Sequence, residues 1–267
     1  MSDNRTISRV LLCRPDNFDV DYIINPYMQP HSVDKAKALR QWKKLVSALQ
    51  TENIDVEIIE QAKGVPDMVF ATDQGIVRGN EVLLANFRFP ERKKERPYYR
   101  KWFEAHGYII RTLSDVFPFE GGDTLFFGDM LLVGTGFRAS VSSCEELSHT
   151  LDIDVLPLRL TDAKYYHLDT ALLVLDSKTA LYYPPAFSLN SKNLLRTVVR
   201  NLHELTQEQA ESFAANSFVS GDTVFTQAGI PGFKKKLESF GKKVIEVDLG
   251  EFKKAGGGIH CLINALS

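Results

Sequence analysis

Cysteine is scarce in this chain: Cys13, Cys144 and Cys261 are the three among 267 residues. So few thiols, odd in number, exclude a disulfide framework and fit a reducing compartment. Long apolar runs are also missing. The polar start MSDNRTIS leads only into Val10-Leu11-Leu12-Cys13, too short for a signal-peptide core, and no stretch is long enough to span a bilayer. A cytoplasmic protein without a membrane partner is expected. Nor does one sign of charge dominate. The 32 basic and 34 acidic residues leave a formal charge of −2, which disfavours a nucleic-acid binder relying on a general basic field. No Cys/His set has zinc spacing, and there is neither a GxGxxG fingerprint nor a Walker-type loop. Neither a metal nor a nucleotide cofactor is implied.

The ordinary globular balance, 44% hydrophobic and 25% charged, excludes disorder and coiled coil. At about 150 residues per domain, one α/β domain over residues 1–267 is the first-order reading. Arg9 to Cys13 reads as a strand. Ser32-Val33-Asp34 offers caps for a helix over Lys35 to Gln50, where Leu39, Trp42, Val46 and Leu49 recur at helical spacing. Asp55 to Ile59 reads as a strand. Tyr98 to His106 and Gly232 to Phe240 read as helices closed by Gly107 and Gly241. Thr206 to Gln209 has the form of a capping box.

A weak internal repeat is more informative. Five segments place polar residues or paired glycines before an apolar, strand-like run. They begin at Phe70-Ala71-Thr72-Asp73, Glu120-Gly121-Gly122-Asp123, Tyr166-His167-Leu168-Asp169, Val219-Ser220-Gly221-Asp222 and Gly257-Gly258-Ile259-His260-Cys261. Asp73, Asp123, Asp169 and Asp222 are separated by 50, 46 and 53 residues (123 − 73, 169 − 123, 222 − 169). Such a period points to one supersecondary unit per repeat, and five units would close into a ring with the polar leads at its centre. Turn chemistry alone would account for Asp222, but not for all five together.

The centre so assembled holds Asp73, Glu120, Asp123, His167, Asp169, Asp222 and Cys261. A thiol with an imidazole is the minimal pair for covalent catalysis. Clustered carboxylates oppose an anionic transition state but suit a cation, and a planar guanidinium pairs with them bidentately. The residues therefore point to a cysteine hydrolase acting on a cationic carbon such as that of a guanidine.

Glu120-Gly121-Gly122-Asp123, His167-Leu168-Asp169-Thr170 and a late Cys261 resemble the guanidino-modifying (amidinotransferase, or pentein) superfamily. Ile24-Asn25-Pro26-Tyr27-Met28, Phe70 to Gly75 and Phe89 to Glu95 also have counterparts there, so the resemblance spans the chain. It implies a five-bladed α/β propeller with pseudo-fivefold symmetry and a small-molecule guanidino amino acid as substrate, with a homodimer left open. Carried over, Cys261 is the nucleophile and His167 the acid and base, held by Glu120. Asp73 and Asp169 bind guanidinium N–H groups. Arg92 and Arg138 are candidates for the substrate carboxylate, and Asn25 for the amino-acid end. Asp123 serves either the substrate or the neighbouring backbone.

Other residues are read more plainly. Cys13 and Cys144 are small buried hydrophobes. His31, His106, His149 and His203 belong to the surface. His260, on a regular strand, points away from the face that carries Cys261 and is structural.

Within the superfamily, arginine deiminases are longer. Dimethylarginine dimethylaminohydrolases share the compact size and the Pro90-to-Glu95 pattern, but usually have Lys-Ser in place of Asp169-Thr170. A methylated nitrogen would leave the Asp169 carboxylate buried and unpaired, which favours free arginine. Arginine dihydrolases share the Ile-Asn-Pro feature best, yet carry Asn in place of Asp73. The reading is a cofactor-free amidinohydrolase giving citrulline from arginine or an N-substituted arginine. Ornithine is the alternative product, and a non-catalytic binding protein on the same scaffold the alternative of another class.

Overall fold

A computed structural model describes residues 6–266. The strands form five three-stranded sheets. The first contains β1 (Arg9–Arg14) and β2 (Asp55–Glu60), parallel and joined through helix Lys35–Thr51. Four further sheets repeat one plan. They are β3 (Gly75–Arg78), β4 (Glu81–Leu84) and β5 (Ile109–Thr112); β6 (Thr124–Phe127), β7 (Met130–Thr135) and β8 (Asp154–Arg159); β9 (Leu172–Val174), β10 (Thr179–Tyr182) and β11 (Asn201–Glu204); and β12 (Phe218–Ser220), β13 (Thr223–Gln227) and β14 (Lys243–Val247). In each, the first two strands form an antiparallel hairpin and the third runs parallel to the second after a helical crossover. A late strand, β15 (Asn264–Ala265), lies antiparallel to β1 with Ala265 opposite Val10 and closes the ring. This is the five-bladed α/β propeller that the resemblance implied, and the ring of five units read from the repeat.

The helix over residues 35–51 illustrates how the crossovers are held. Asp34 caps it by accepting from the Lys37 amide at 2.9 Å. Its buried face is Ala38, Gln41, Trp42, Leu45 and Leu49. Leu39 and Val46, expected on that face, are half-buried at its edge. The stripe turns this way because Gln41 is spent on polar contacts that hydrophobic periodicity cannot register. Its amide donates to Asp248 at 2.8 Å and accepts from the Glu251 amide at 3.0 Å. Burying the apolar members contributes about 1.5–3 kcal/mol for each large side chain. Among the described residues no helix is long and apolar enough to cross a membrane.

Single 3-10 turns precede four of the inner strands: Ala71–Gln74 before β3, Gly121–Asp123 before β6, Leu168–Thr170 before β9 and His260–Leu262 before β15. These turns pack on one another: 71–74 touches both 121–123 and 260–262, and 121–123 touches 168–170. Two expectations change here. Gly257 to Ile263 is not a strand, since the chain coils tightly at residues 260–262 before two residues of β15. Asp222 is not central. It sits in the two-residue turn joining Ser220 to Thr223, is 77% exposed and pairs with Lys242 at 3.2 Å. The fourth blade instead brings Asn216 to the centre, from the irregular segment before β12.

Candidate active site

Where the turns meet, charged side chains are packed out of reach of water. Glu120 is fully buried, and Asp73, Arg92, Arg138, His167, Asp169 and Cys261 are each exposed by 2% or less. Close glycine packing makes this density attainable. A Cβ on Gly122 would stand 2.6 Å from Asp73 Oδ1 and 2.7 Å from His167 Nδ1. Gly256, at φ +89°, is wedged between the Asn25 amide and the Tyr166 hydroxyl, a conformation that favours glycine.

Glu120 organises one half of the centre. Arg138 Nη1 donates to both of its oxygens, at 3.1 and 3.0 Å, and His167 Nε2 lies 3.0 Å from Oε2. Burial works to raise the Glu120 pKa, but the Arg138 guanidinium and the His167 bond outweigh it and hold the carboxyl well below the usual range. For His167 burial would depress the pKa. The Asp73 and Asp123 charges, with the Glu120 bond, overcome it and carry the imidazole up to about 9. His167 is thus an imidazolium at neutral pH, with Asp73 Oδ1 3.6 Å from its Nδ1, beyond hydrogen-bond distance. Asp123 accepts from the Glu120 amide at 3.0 Å, and burial pushes its pKa well up.

Cys261 organises the other half. Its Sγ receives the Asn216 amide at 3.1 Å and donates to Asp169 Oδ2 at 3.3 Å. Asn216 Oδ1 also accepts from the Gly258 and Cys261 amides, at 3.0 and 3.3 Å, so one side chain fixes both the sulfur and the backbone beneath it. Burial, then the Asp169 and Asp73 charges, push the thiol pKa well up. Without a cation nearby, Cys261 is therefore a neutral thiol.

Four atoms in this cluster are buried without a hydrogen-bond partner: Asp73 Oδ1, Asp123 Oδ1, Asp169 Oδ1 and His167 Nδ1. Unmade bonds of this kind cost about 1–3 kcal/mol each. Asp73, Glu120 and His167 also present ligand atoms within 4.8 Å of one another, the spacing of a metal site. Yet Arg92 Nη1 lies 2.6 Å from Asp73 Oδ2, and both arginines contact Glu120. Their positive charge already serves the carboxylates a metal would need.

A family model described as N,N dimethylarginine dimethylhydrolase, eukaryotic, matches residues 14–267. The chain belongs to that family. Its relatives there include the bifunctional arginine dihydrolase/ornithine cyclodeaminase ArgZ of Synechocystis sp., 40% identical over 261 residues. That match covers 95% of this chain but 37% of ArgZ, so this chain spans little more than a third of that relative. An N(G),N(G)-dimethylarginine dimethylaminohydrolase of Mycobacterium tuberculosis is 35% identical over 254 residues, with 95% of this chain and 84% of that protein covered. The crystal structure of the N-terminal domain of ArgZ, a substrate-bound mutant, superposes with a TM-score of 0.94 at 38% identity. It covers 97% of this chain and 98% of that one.

Within this dimethylarginine dimethylhydrolase-family centre, the residues expected from sequence meet as two linked groups. Asp73, Arg92, Glu120, Asp123, Arg138 and His167 form one, and Asp169 and Cys261 the other. Asn25 stands beside Gly256, donating to the Ala255 carbonyl at 3.0 Å. Arg92 is the more committed of the two arginines. All five of its N–H groups are taken, by Glu95 (2.9 Å twice), Asp73, Glu120 and the Asp67 carbonyl. A substrate carboxylate would have to displace one of them. Arg138 is less committed. Besides Glu120 it donates to the Ile24 carbonyl at 3.3 Å, and its guanidinium lies 4.7 Å from the Phe89 and Tyr166 rings.

His260 requires a correction, because the tight turn replaces the regular strand. Its Nδ1 points at Asp169 Oδ2, 2.9 Å away. Asn216 went unrecognised because the fourth repeat was aligned on Asp222; aligning it on the apolar run Phe218-Val219 would have exposed it. Cys13 and Cys144 are buried, as expected, and burial pushes the Cys144 thiol up to about 12. His31, His106 and His149 are exposed, and His203 half-buried.

Proposed function

We propose that this chain hydrolyses a guanidino C–N bond of arginine or an N-substituted arginine through a covalent intermediate on Cys261, giving citrulline. The observation that carries this reading is the set of unpaired carboxylate oxygens around a neutral thiol. A guanidinium supplies the N–H donors that Asp73 and Asp169 lack, and its charge stabilises the thiolate. Substrate binding and activation of the nucleophile are then one event.

The thiolate attacks the guanidino carbon. Imidazolium His167 gives its proton to the departing nitrogen, the C–N bond breaks, and a thiouronium remains on sulfur. Neutral His167 next takes a proton from water, the resulting hydroxide adds to the carbon, the C–S bond breaks to restore the thiolate, and the new O–H gives its proton to the released amine, leaving the ureido carbonyl. Glu120 holds the imidazole in place for both transfers. Arg138, braced by Glu120 and two aromatic faces, receives the substrate carboxylate. Arg92 fixes Asp73 and Glu120. Because the centre is closed, the segment over residues 15–34, which brings Asn25 and Ile24 against it, moves to admit substrate.

Asp73 favours citrulline as the end point. A carboxylate only accepts hydrogen bonds, so it offers no donor to the ureido oxygen of citrulline, which a second hydrolysis must activate. Ornithine is the second reading, supported by the 40% identity with a protein named as an arginine dihydrolase. Product analysis with arginine and, separately, dimethylarginine decides, with Cys261→Ser as control. Citrulline from arginine supports the proposal, ornithine the second reading, and turnover of dimethylarginine alone contradicts the role given to Asp169.

A further inference from the structure

Cys261 and His167 are sealed and Asp169 barely reaches a surface, but His260 is open: its side chain is 20% exposed, against 1% for Asp169. It lines two hollows, of about 300 and 100 Å³. The larger is walled by Phe126 and Gly128 at the end of β6, Val174 to Ser177 at and beyond the end of β9, and Val219 of β12. The hollow is also lined by Thr124 and Leu172 at the starts of the same strands, so it lies among the strands that carry the catalytic turns. A continuous line of polar atoms crosses from it to the sulfur. His260 Nδ1 is 2.9 Å from Asp169 Oδ2, and that oxygen is 3.3 Å from Cys261 Sγ.

We propose that His260 is a positioning residue that links the Cys261 thiol to this hollow through Asp169 and provides the exit for the thiol's proton. The inference rests on Cys261 being the nucleophile. The transfer balances as follows. The Sγ–H bond breaks, the electron pair stays on sulfur and the proton forms an O–H bond on Asp169. That O–H bond breaks as the proton passes to His260 Nδ1, and the Nε2–H bond breaks as its proton passes to water in the hollow. The carboxylate is restored and the imidazole has changed tautomer. The ionisable groups lining the larger hollow with His260 are Asp169 and Asp176, and the smaller hollow adds none. The other polar contacts of residue 260 are through its backbone, to Asn216, Thr72 and Ile263.

The test is the rate of Cys261 alkylation by iodoacetamide against pH, without any guanidine, in wild type, His260→Asn and His260→Ala. Asn keeps an N–H for Asp169 but cannot exchange a proton. Both variants should lose roughly tenfold in rate at neutral pH, as follows from raising the thiol pKa by about one unit. Added imidazole, small enough for the hollow, should restore His260→Ala. A wild-type profile in His260→Asn would mean that the hydrogen bond alone matters and would overturn the relay, as would failure of imidazole to rescue. The assay needs no turnover, so an error about arginine as substrate leaves it intact. A wild-type Cys261 inert at every pH would remove the nucleophile and the relay together.

Discussion

Replacing Asp73 by Asn removes one charge at nearly constant shape, and its effect can be worked from the geometry. Asp73 Oδ1 is 3.6 Å from His167 Nδ1. At an effective dielectric constant of about 20 that charge is worth about 4–5 kcal/mol to the imidazolium. His167 stands at about 9, a net stabilisation of its charged form of about 3 kcal/mol over an ordinary histidine. The net is smaller than the single contact because burial takes part of it back. At about 1.4 kcal/mol per pKa unit, losing that contact lowers the pKa by about three units, to about 6. The sign follows from the first step, which needs the imidazolium: activity is lost as pH rises through the His167 pKa. Wild type should hold its activity to about pH 9, and Asp73→Asn should lose its alkaline limb about three pH units earlier. The assay is kcat/KM for arginine across pH, with an NMR titration of His167 alongside. An alkaline limb that stays near 9 in Asp73→Asn would refute the assignment of His167 as the acid. The same variant acquires an amide donor for the ureido oxygen, so ornithine should appear among its products.

Other substitutions probe the packing beneath the chemistry. Gly122→Ala drives a methyl against Asp73 Oδ1 and His167 Nδ1, both anchored by other partners. It should lower stability by about 1–3 kcal/mol and kcat by roughly a hundredfold, read from thermal unfolding and steady-state rates; unchanged kcat would mean that the pair is free to shift. Asn216→Leu strips the sulfur of its donor and leaves the buried Gly258 and Cys261 amides unpaired. At about 1–3 kcal/mol for each unmade bond, its denaturation midpoint should drop clearly below that of wild type, and a midpoint within error would contradict the bonding described.

The repeat made the propeller legible because each blade opens with the same device, a polar turn before an apolar strand, at nearly constant spacing. Asp73, Glu120, His167, Asp169 and Cys261 could be read because their blades keep that device close to its common form. Asn216 could not, since an amide in Ser212-Phe213-Ala214-Ala215-Asn216-Ser217 looks like loop, while Asp222 nearby mimics the motif. His260 was misjudged for a geometric reason: a strand alternates its faces, whereas a tight turn sends residue 260 toward the Asp169 side. The saturation of Arg92 was equally hidden, because Glu95 and Asp67 reach it only after the helical turn at Pro90–Lys93 has formed. Helices Val141–Leu151 and Leu189–Val198 escaped a reading based on apolar periodicity. Each is opened by a serine cap, Ser140 and Ser188, accepting from the amide three residues on.

The central claim, covalent catalysis by Cys261 on a guanidino carbon, is tested most directly by intact-mass analysis of protein mixed with arginine and quenched in acid within the first turnovers. The account predicts a species heavier by arginine less ammonia, mapped by proteolysis to Cys261, abolished in Cys261→Ser and unaffected in Cys144→Ala. Citrulline formation with no such adduct, or an adduct on another residue, would contradict it.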